Sequence, residues 1–231
     1  MTEPILLIND FDGCLYKNPE GFISVFKQAS ANLGVHMSGG ELTPEKSLEI
    51  AMDSYNTTGF GFRKFSDMFG VSMAEAIHLY HRYIKFALQE NESVTQAFNA
   101  VDRRRVHPMI LTQGSRCNLD KHLPMIGLDG VFPRNMRITI EDHGFDHTKS
   151  MSEYPWIYAK VRAEAVTGLQ FKDENIFVTE DTAENLRVPH ELGWNTALMH
   201  HGEPLSSLPA HIHRQCENVA DVLADFPQNT L

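Results

Sequence analysis

"ILLINDFDGCLY", residues 5–16, runs an apolar segment straight into two carboxylates one residue apart. Four apolar residues, Ile5 to Ile8, lead without a break into Asn9, Asp10, Phe11, Asp12 and Gly13. A continuous apolar run, rather than an alternating one, suits a parallel strand covered on both faces. At the end of such a strand residues i and i+2 point to the same side, so Asp10 and Asp12 share one crevice. Two close carboxylates repel, and burial adds to the cost. The pair persists if a cation sits between them or if one carboxyl keeps its proton. Either condition serves chemistry, because one carboxylate can attack an electrophile such as phosphorus while a protonated partner supplies a proton to the leaving group. The plain alternative is a pair of turn residues ahead of Gly13, where Asp is common. On these two residues alone both readings stand.

Moving outward, apolar runs recur at Val106–Leu111, 176–178 and 196–199, with helical patterns near 116–126, 153–167 and 183–192. This alternation predicts an α/β fold, an open Rossmann-like parallel sheet with right-handed connections and its site at the carboxyl ends of the strands. The interval from 17 to 105 breaks the alternation and is helical in pattern. Thr43 with Pro44 is a helix start. "SMAE" at 72–75 has the form of a capping box ahead of Ile77, Tyr80, Ile84, Ala87 and Leu88. "YNTTGFGF" at 55–62 reads as a turn between helices. The expected organisation is therefore a core of 1–16 and 106–231 interrupted by a helical domain, 17–105, with a loose tail from Pro227.

Two further strand ends carry polar groups. "MILTQGS" puts Thr112, Gln113 and Gly114 after a strand and ahead of a helix starting near Ser115, a hydroxyl and amides that could cradle a phosphate. "IFVTEDTAEN" ends in Glu180 and Asp181, oxygen donors of the type Mg²⁺ prefers. Each alone is ordinary, since Thr-Gly turns are common and acids cap helices. Their occurrence in order, each at a strand end, is what makes them specific. Elsewhere, "EDHGFDH" at 141–147 reads as a solvated loop rather than a transition-metal site. Arg103–Arg105 reads as a solvated helix end, and Cys14 as a small packing residue.

At 231 residues, 42% hydrophobic and 22% charged, the chain has the balance of an ordinary globular protein. No apolar run approaches the roughly 20 residues that span a bilayer, and Met1–Pro4 lacks a leader-like layout. Three cysteines cannot all pair and read as free thiols in a reducing cytoplasm. A net charge of −10 argues against nucleic-acid polymers and anionic membranes as partners. It leaves room for a small anionic substrate, because a metal ion or a few local cations can override the bulk field.

"DFDGCL", "LTQGS" and "VTEDTAEN" resemble, in order, the first, second and fourth motifs of the haloacid dehalogenase-like hydrolase superfamily, and the inserted helices resemble its small cap. The resemblance runs from about Ile5 to His201. "YNTTGFGFRKFSDMFGVS" is similar to the cap of the pyrimidine 5′-nucleotidase branch. The resemblance implies a Mg²⁺-dependent phosphomonoester hydrolase acting on a small phosphorylated metabolite such as a nucleoside monophosphate. Asp10 would be the nucleophile and Asp12 the general acid and base. Mg²⁺ would sit on the Asp10 carboxylate, the Asp12 backbone carbonyl and Asp181, with Glu180 beside it. Thr112, Gln113, Gly114 and Arg116 would bind phosphate, and Asn185 would brace the acidic loop. The third motif departs from the family: Ser152 stands where its lysine is expected. Lys149 is the nearest cation and is expected to take the role, with Arg116 as the fallback. A phosphomutase, a metal-free dehalogenase and a catalytically weak phosphate-binding protein are the rival readings. The oligomeric state, monomer or homodimer, is left open.

Overall fold

The computed structural model of the protein describes residues 3–228. The chain divides into two compact units, one comprising the chain up to Asn18 and from Leu88 onward, the other Pro19–Ala87.

The first unit is built on a parallel sheet. Strand β1 (Ile5–Asn9) opens it. The strand lies between β2 (Val106–Leu111) and β4 (Ile176–Glu180), and the spatial order is β3-β2-β1-β4-β5-β6. The remaining strands are β3 (Arg137–Ile138), β5 (Asn195–Met199) and β6 (Arg214–Cys216). Leu6, Leu7 and Ile8 are all fully buried, so both faces of β1 are covered, as its unbroken apolar run predicts. On one face Leu6 and Ile8 meet Met109, Leu111, Ile176 and Val178 under Trp156 and Ala159 of the helix Tyr154–Thr167. Each such aliphatic side chain contributes about 1.5–3 kcal/mol by leaving water. On the other face Phe177 packs edge-on against Phe226, ring centroids 4.8 Å apart.

The second unit is helical throughout its regular structure, with α1 (Phe22–Met37), α2 (Pro44–Thr58), α3 (Arg63–Phe69) and α4 (Met73–Tyr83). The Thr43 side chain accepts from the Lys46 amide and the Ser72 hydroxyl from the Glu75 amide, so both expected helix starts form. Two details differ from expectation. Residues 55–58 belong to α2, and the turn begins only at Gly59, whose φ of 76° ends the helix. Helix α4 stops at Tyr83, short of Ala87 and Leu88.

The expected return to the core at 106 falls earlier, near Leu88. Helix α5 (Glu92–Ala100) belongs with the sheet because its buried Val94 and Phe98 have partners there: Phe98 meets Phe132 edge-on at 5.2 Å. The tail is also more ordered than expected up to Gln228, since the Asp102 amide donates to the Pro227 carbonyl and Val101 bridges to Gln228. Its last three residues lie outside the described part. The other helices of this unit are α6 (Arg116–His122), α7 (Ile140–His143), α8 (Tyr154–Thr167), α9 (Arg187–Glu191) and α10 (Val219–Leu223).

Candidate active site

The carboxyl ends of β1, β2 and β4 converge, and a buried polar lattice fixes them. Asn9 donates to the Met109 carbonyl at 3.1 Å and accepts from the Thr179 hydroxyl at 2.9 Å, tying β1 to both neighbours. Cys14 donates to the same hydroxyl at 3.3 Å, and burial first of all pushes its thiol well above the ordinary range. It is a packing group. Above this lattice the Asp10 amide still donates to the Thr179 carbonyl at 2.9 Å, so the carboxylate projects from the last residue held by the sheet.

Lys149 reaches into this point from the loop before α8. Its side chain is 2% exposed and its ammonium has three acceptors: Asp10 Oδ1 at 2.5 Å, Glu180 Oε1, and the Leu111 carbonyl at 3.3 Å. All three N–H donors are therefore used. The indole of Trp156 donates to the Lys149 carbonyl at 2.8 Å and holds the loop in place. Burial opposes the charge on Lys149, but the Asp10 and Glu180 carboxylates outweigh it and raise its pKa. Burial and then the neighbouring Glu180 charge raise the Asp10 carboxyl. Burial and then Asp10 raise Asp181, and burial lifts Asp12 to about 6. Ser152, at the position the family reserves for lysine, accepts from the Tyr154 amide at 3.1 Å instead.

Asp10, Glu180 and Asp181 offer oxygens within 4.8 Å of one another. Glu180 is already engaged by Lys149, by the Asn185 amide at 2.9 Å and by the Thr182 backbone at 3.2 Å, which leaves Asp10 and Asp181 as the freer donors. Gly13 closes the other side of this space: with φ at 75°, an added Cβ would lie 2.1 Å from Asp181 Oδ2. Hard carboxylate oxygens whose pKa values are raised by burial first and then by neighbouring carboxylates suit a small divalent cation such as Mg²⁺. The Gly13 carbonyl accepts from His201 Nε2 at 2.7 Å. His201 is at φ 47°, the left-handed region that few non-glycine residues enter, histidine more readily than most.

At the end of β2, Thr112 is buried and its hydroxyl accepts from the Gly114 amide at 2.9 Å. Gly114 lies beside Asp12: a Cβ there would be 3.3 Å from Asp12 Oδ2 and 3.2 Å from Thr112 Oγ1. Gln113 is half-buried in the same turn. Arg116 is used elsewhere. Its guanidinium pairs with Asp142 and donates to the Arg137 carbonyl at 3.1 Å, and its amide is taken by Glu141 at 3.0 Å. The fallback cation is thus committed to the α6–α7 contact. The "EDHGFDH" stretch is not the solvated loop its composition predicts, because α7 forms ahead of Gly144 and buries His143.

Side chains at the site beyond the sequence reading include Tyr16, which donates to Asp12 Oδ1; Asn118, which also hydrogen-bonds Asp12; His201; and Trp156 in its anchoring role. Each acts through a tertiary contact that has no signature in spacing.

No family model matches the sequence, and no curated protein does. Solved structures do. A HAD phosphatase from Thermococcus onnurineus superposes with a TM-score of 0.65 at 13% identity, over 99% of this chain and 100% of that one. The chain has the haloacid dehalogenase-like fold. An L-2-haloacid dehalogenase gives 0.58 at 13% identity, covering 96% and 98%. A beta-phosphoglucomutase candidate from Thermotoga maritima gives 0.58 at 15% identity, covering 95% and 97%. Different chemistries therefore share the haloacid dehalogenase-like fold, and the choice among them lies in side chains. No helix among the described residues is long and apolar enough to cross a membrane.

Proposed function

We propose that the protein is a Mg²⁺-dependent phosphomonoester hydrolase of nucleotidase type, cytoplasmic, acting on a small phosphorylated metabolite such as a nucleoside monophosphate. The observation that carries this reading is the Lys149 ammonium buried between Asp10 and Glu180, with the Asp12 carboxyl beside the Thr112–Gly114 turn. A cation fixed at the attacking carboxylate suits a reaction that concentrates negative charge there.

In this reading an Asp10 oxygen attacks phosphorus and forms an aspartyl-phosphate. Asp12 protonates the leaving alcohol and then takes a proton from the attacking water. Lys149 holds Asp10 ionised and aimed, and balances charge on the transferring group. Thr112 and the Gly114 amide hold phosphoryl oxygens. Asp10 and Asp181 would hold Mg²⁺, which supplies further neutralisation of the phosphoryl charge when bound. A dehalogenase has no use for a carboxyl at Asp12, which favours phosphate esters.

The helical unit, 19–87, follows Asp12 by only a few residues in the chain and is proposed to select the substrate. Tyr55, 59% exposed, is a candidate for substrate contact, whereas Phe60 and Phe62 are buried. The three cysteines are free, in keeping with a reducing compartment.

The decisive measurement is phosphate release from a panel of nucleoside monophosphates, sugar phosphates and alkyl phosphates with Mg²⁺. Turnover of at least one ester, abolished in Asp10→Asn, is expected. Failure on the whole panel, or turnover that requires a bisphosphate activator, would refute hydrolysis, the latter in favour of a phosphomutase.

A further inference from the structure

Tyr16 sits in the turn that follows β1, 1% exposed, with its ring edge-on to Phe11 at 5.3 Å and an interplanar angle of 73°. Packing alone would be served as well by phenylalanine. The hydroxyl is what distinguishes this residue, and it donates to Asp12 Oδ1. A tyrosine hydroxyl keeps its proton, and so remains a donor, at neutral pH.

The consequence for Asp12 is geometric. Its carboxyl has Oδ1 tied down into the turn by Tyr16, the Asn118 side chain as a further hydrogen-bond partner, and Oδ2 beside Gly114 and the Thr112 hydroxyl. A free aspartate in a half-exposed position would rotate about its terminal torsion, which has a broad, two-fold profile. Here the hydrogen bonds from Tyr16 to Oδ1 and from the Asn118 side chain restrict that freedom, the Tyr16 bond fixing which oxygen faces the turn.

We propose that Tyr16 is the positioning residue for Asp12, clasping Oδ1 so that Oδ2 is the oxygen that exchanges the proton with leaving group and water. The proposal rests on the phosphohydrolase reading. An Asp10 oxygen bonds to phosphorus as the bond from phosphorus to the leaving oxygen breaks, and the proton on Asp12 Oδ2 passes to that oxygen. Water then bonds to phosphorus, its proton returns to Oδ2, and the bond from phosphorus to Asp10 breaks to release orthophosphate. Tyr16 gains and loses nothing in either step.

The test is Tyr16→Phe in the full-length protein with Mg²⁺, followed in single turnovers on two esters. p-Nitrophenyl phosphate expels a leaving group that needs no proton, whereas an alkyl phosphate expels one that does. Release of p-nitrophenol should stay within about twofold of wild type. Release of the alkyl alcohol should fall about 10-fold or more at unchanged KM, part of the 10²–10⁴-fold that general acid catalysis supplies. Asp12→Asn should show the same selectivity more strongly. A Tyr16→Phe protein that matches wild type on both esters, or loses both by one factor, overturns the proposal, the second result marking a merely structural residue. Should Tyr16→Phe not fold, fluorotyrosine at position 16 keeps the ring and makes the hydroxyl more acidic. An unchanged ratio of alkyl to aryl rates would then overturn the proposal. A wild-type protein inert to both esters sinks the hydrolase reading and this one with it. Selective impairment in Asp12→Asn without it in Tyr16→Phe sinks only the clasp.

Discussion

A lysine that is 2% exposed and bound to two carboxylates and a carbonyl cannot be a solvated loop residue, whatever its neighbours in sequence suggest. Lys149→Met keeps the buried stem and removes the charge, leaving Asp10 and Glu180 facing each other. Turnover should fall about 10²-fold or more, the scale of losing one preorganised electrostatic contact. A Lys149→Met enzyme with near wild-type kcat would show that another group neutralises the phosphoryl charge. Gly13 leaves no room for a side chain. Gly13→Ala must put a Cβ 2.1 Å from Asp181 Oδ2 at a φ of 75°, so turn and metal donor cannot both keep their places. The stabilisation of the protein by Mg²⁺, read as a shift in Tm, should disappear in Gly13→Ala; an undiminished shift would place the ion elsewhere.

At the scale of elements, the short helices α6 and α7 each bury an imidazole. Burial, and then Lys121 and Lys149 respectively, push His122 and His143 down to about 4. Both stay neutral in the fold but gain a proton in the unfolded chain below pH 6.5. The stability they confer is therefore complete above that value and is lost as pH falls from 6.5 toward 4. The raised carboxyls of the site act in the opposite sense, so the comparison has to be made against a variant. Relative to His122→Leu, the wild type should lose about 2 kcal/mol between pH 7 and 5, measured by urea unfolding; parallel pH profiles would refute a neutral His122. Strands β1, β2, β4 and β5 were legible because each contains a short apolar run. β3 and β6, of two and three residues, are too short for any period and are defined only by the neighbour they pair with. Lys149 was legible only as the nearest cation to Ser152, because a loop can place one ammonium in space from several positions in sequence. Tyr16 and His201 were not legible, since nothing local says that a core aromatic will find Asp12 or that a histidine will hold the Gly13 carbonyl. The boundary at Leu88 was missed for a related reason: α5 has the same amphipathic pattern as the helices of the other unit, and only its partner Phe132 assigns it to the core.

For the molecule as a whole, a formal charge of −10 and a buried group of acids mean that, in the proposed reading, a divalent cation would act both as a cofactor and as a stabiliser. Excess chelator should abolish turnover and lower Tm, and Mg²⁺ at about 100 times its Kd should restore about 2.7 kcal/mol. Full activity in chelator would eliminate the metal from the reaction. The two tryptophans, Trp156 and Trp194, lie edge to face with ring centroids 6.5 Å apart, both in the unit that carries the sheet. One of them donates to the Lys149 carbonyl and has the Lys149 ammonium 6.0 Å from its ring. A charge that close to an indole shifts its emission, so the protein carries its own optical reporter. Titrating Mg²⁺ or inorganic phosphate against intrinsic fluorescence should give binding curves without any label, and without waiting for a substrate to be found.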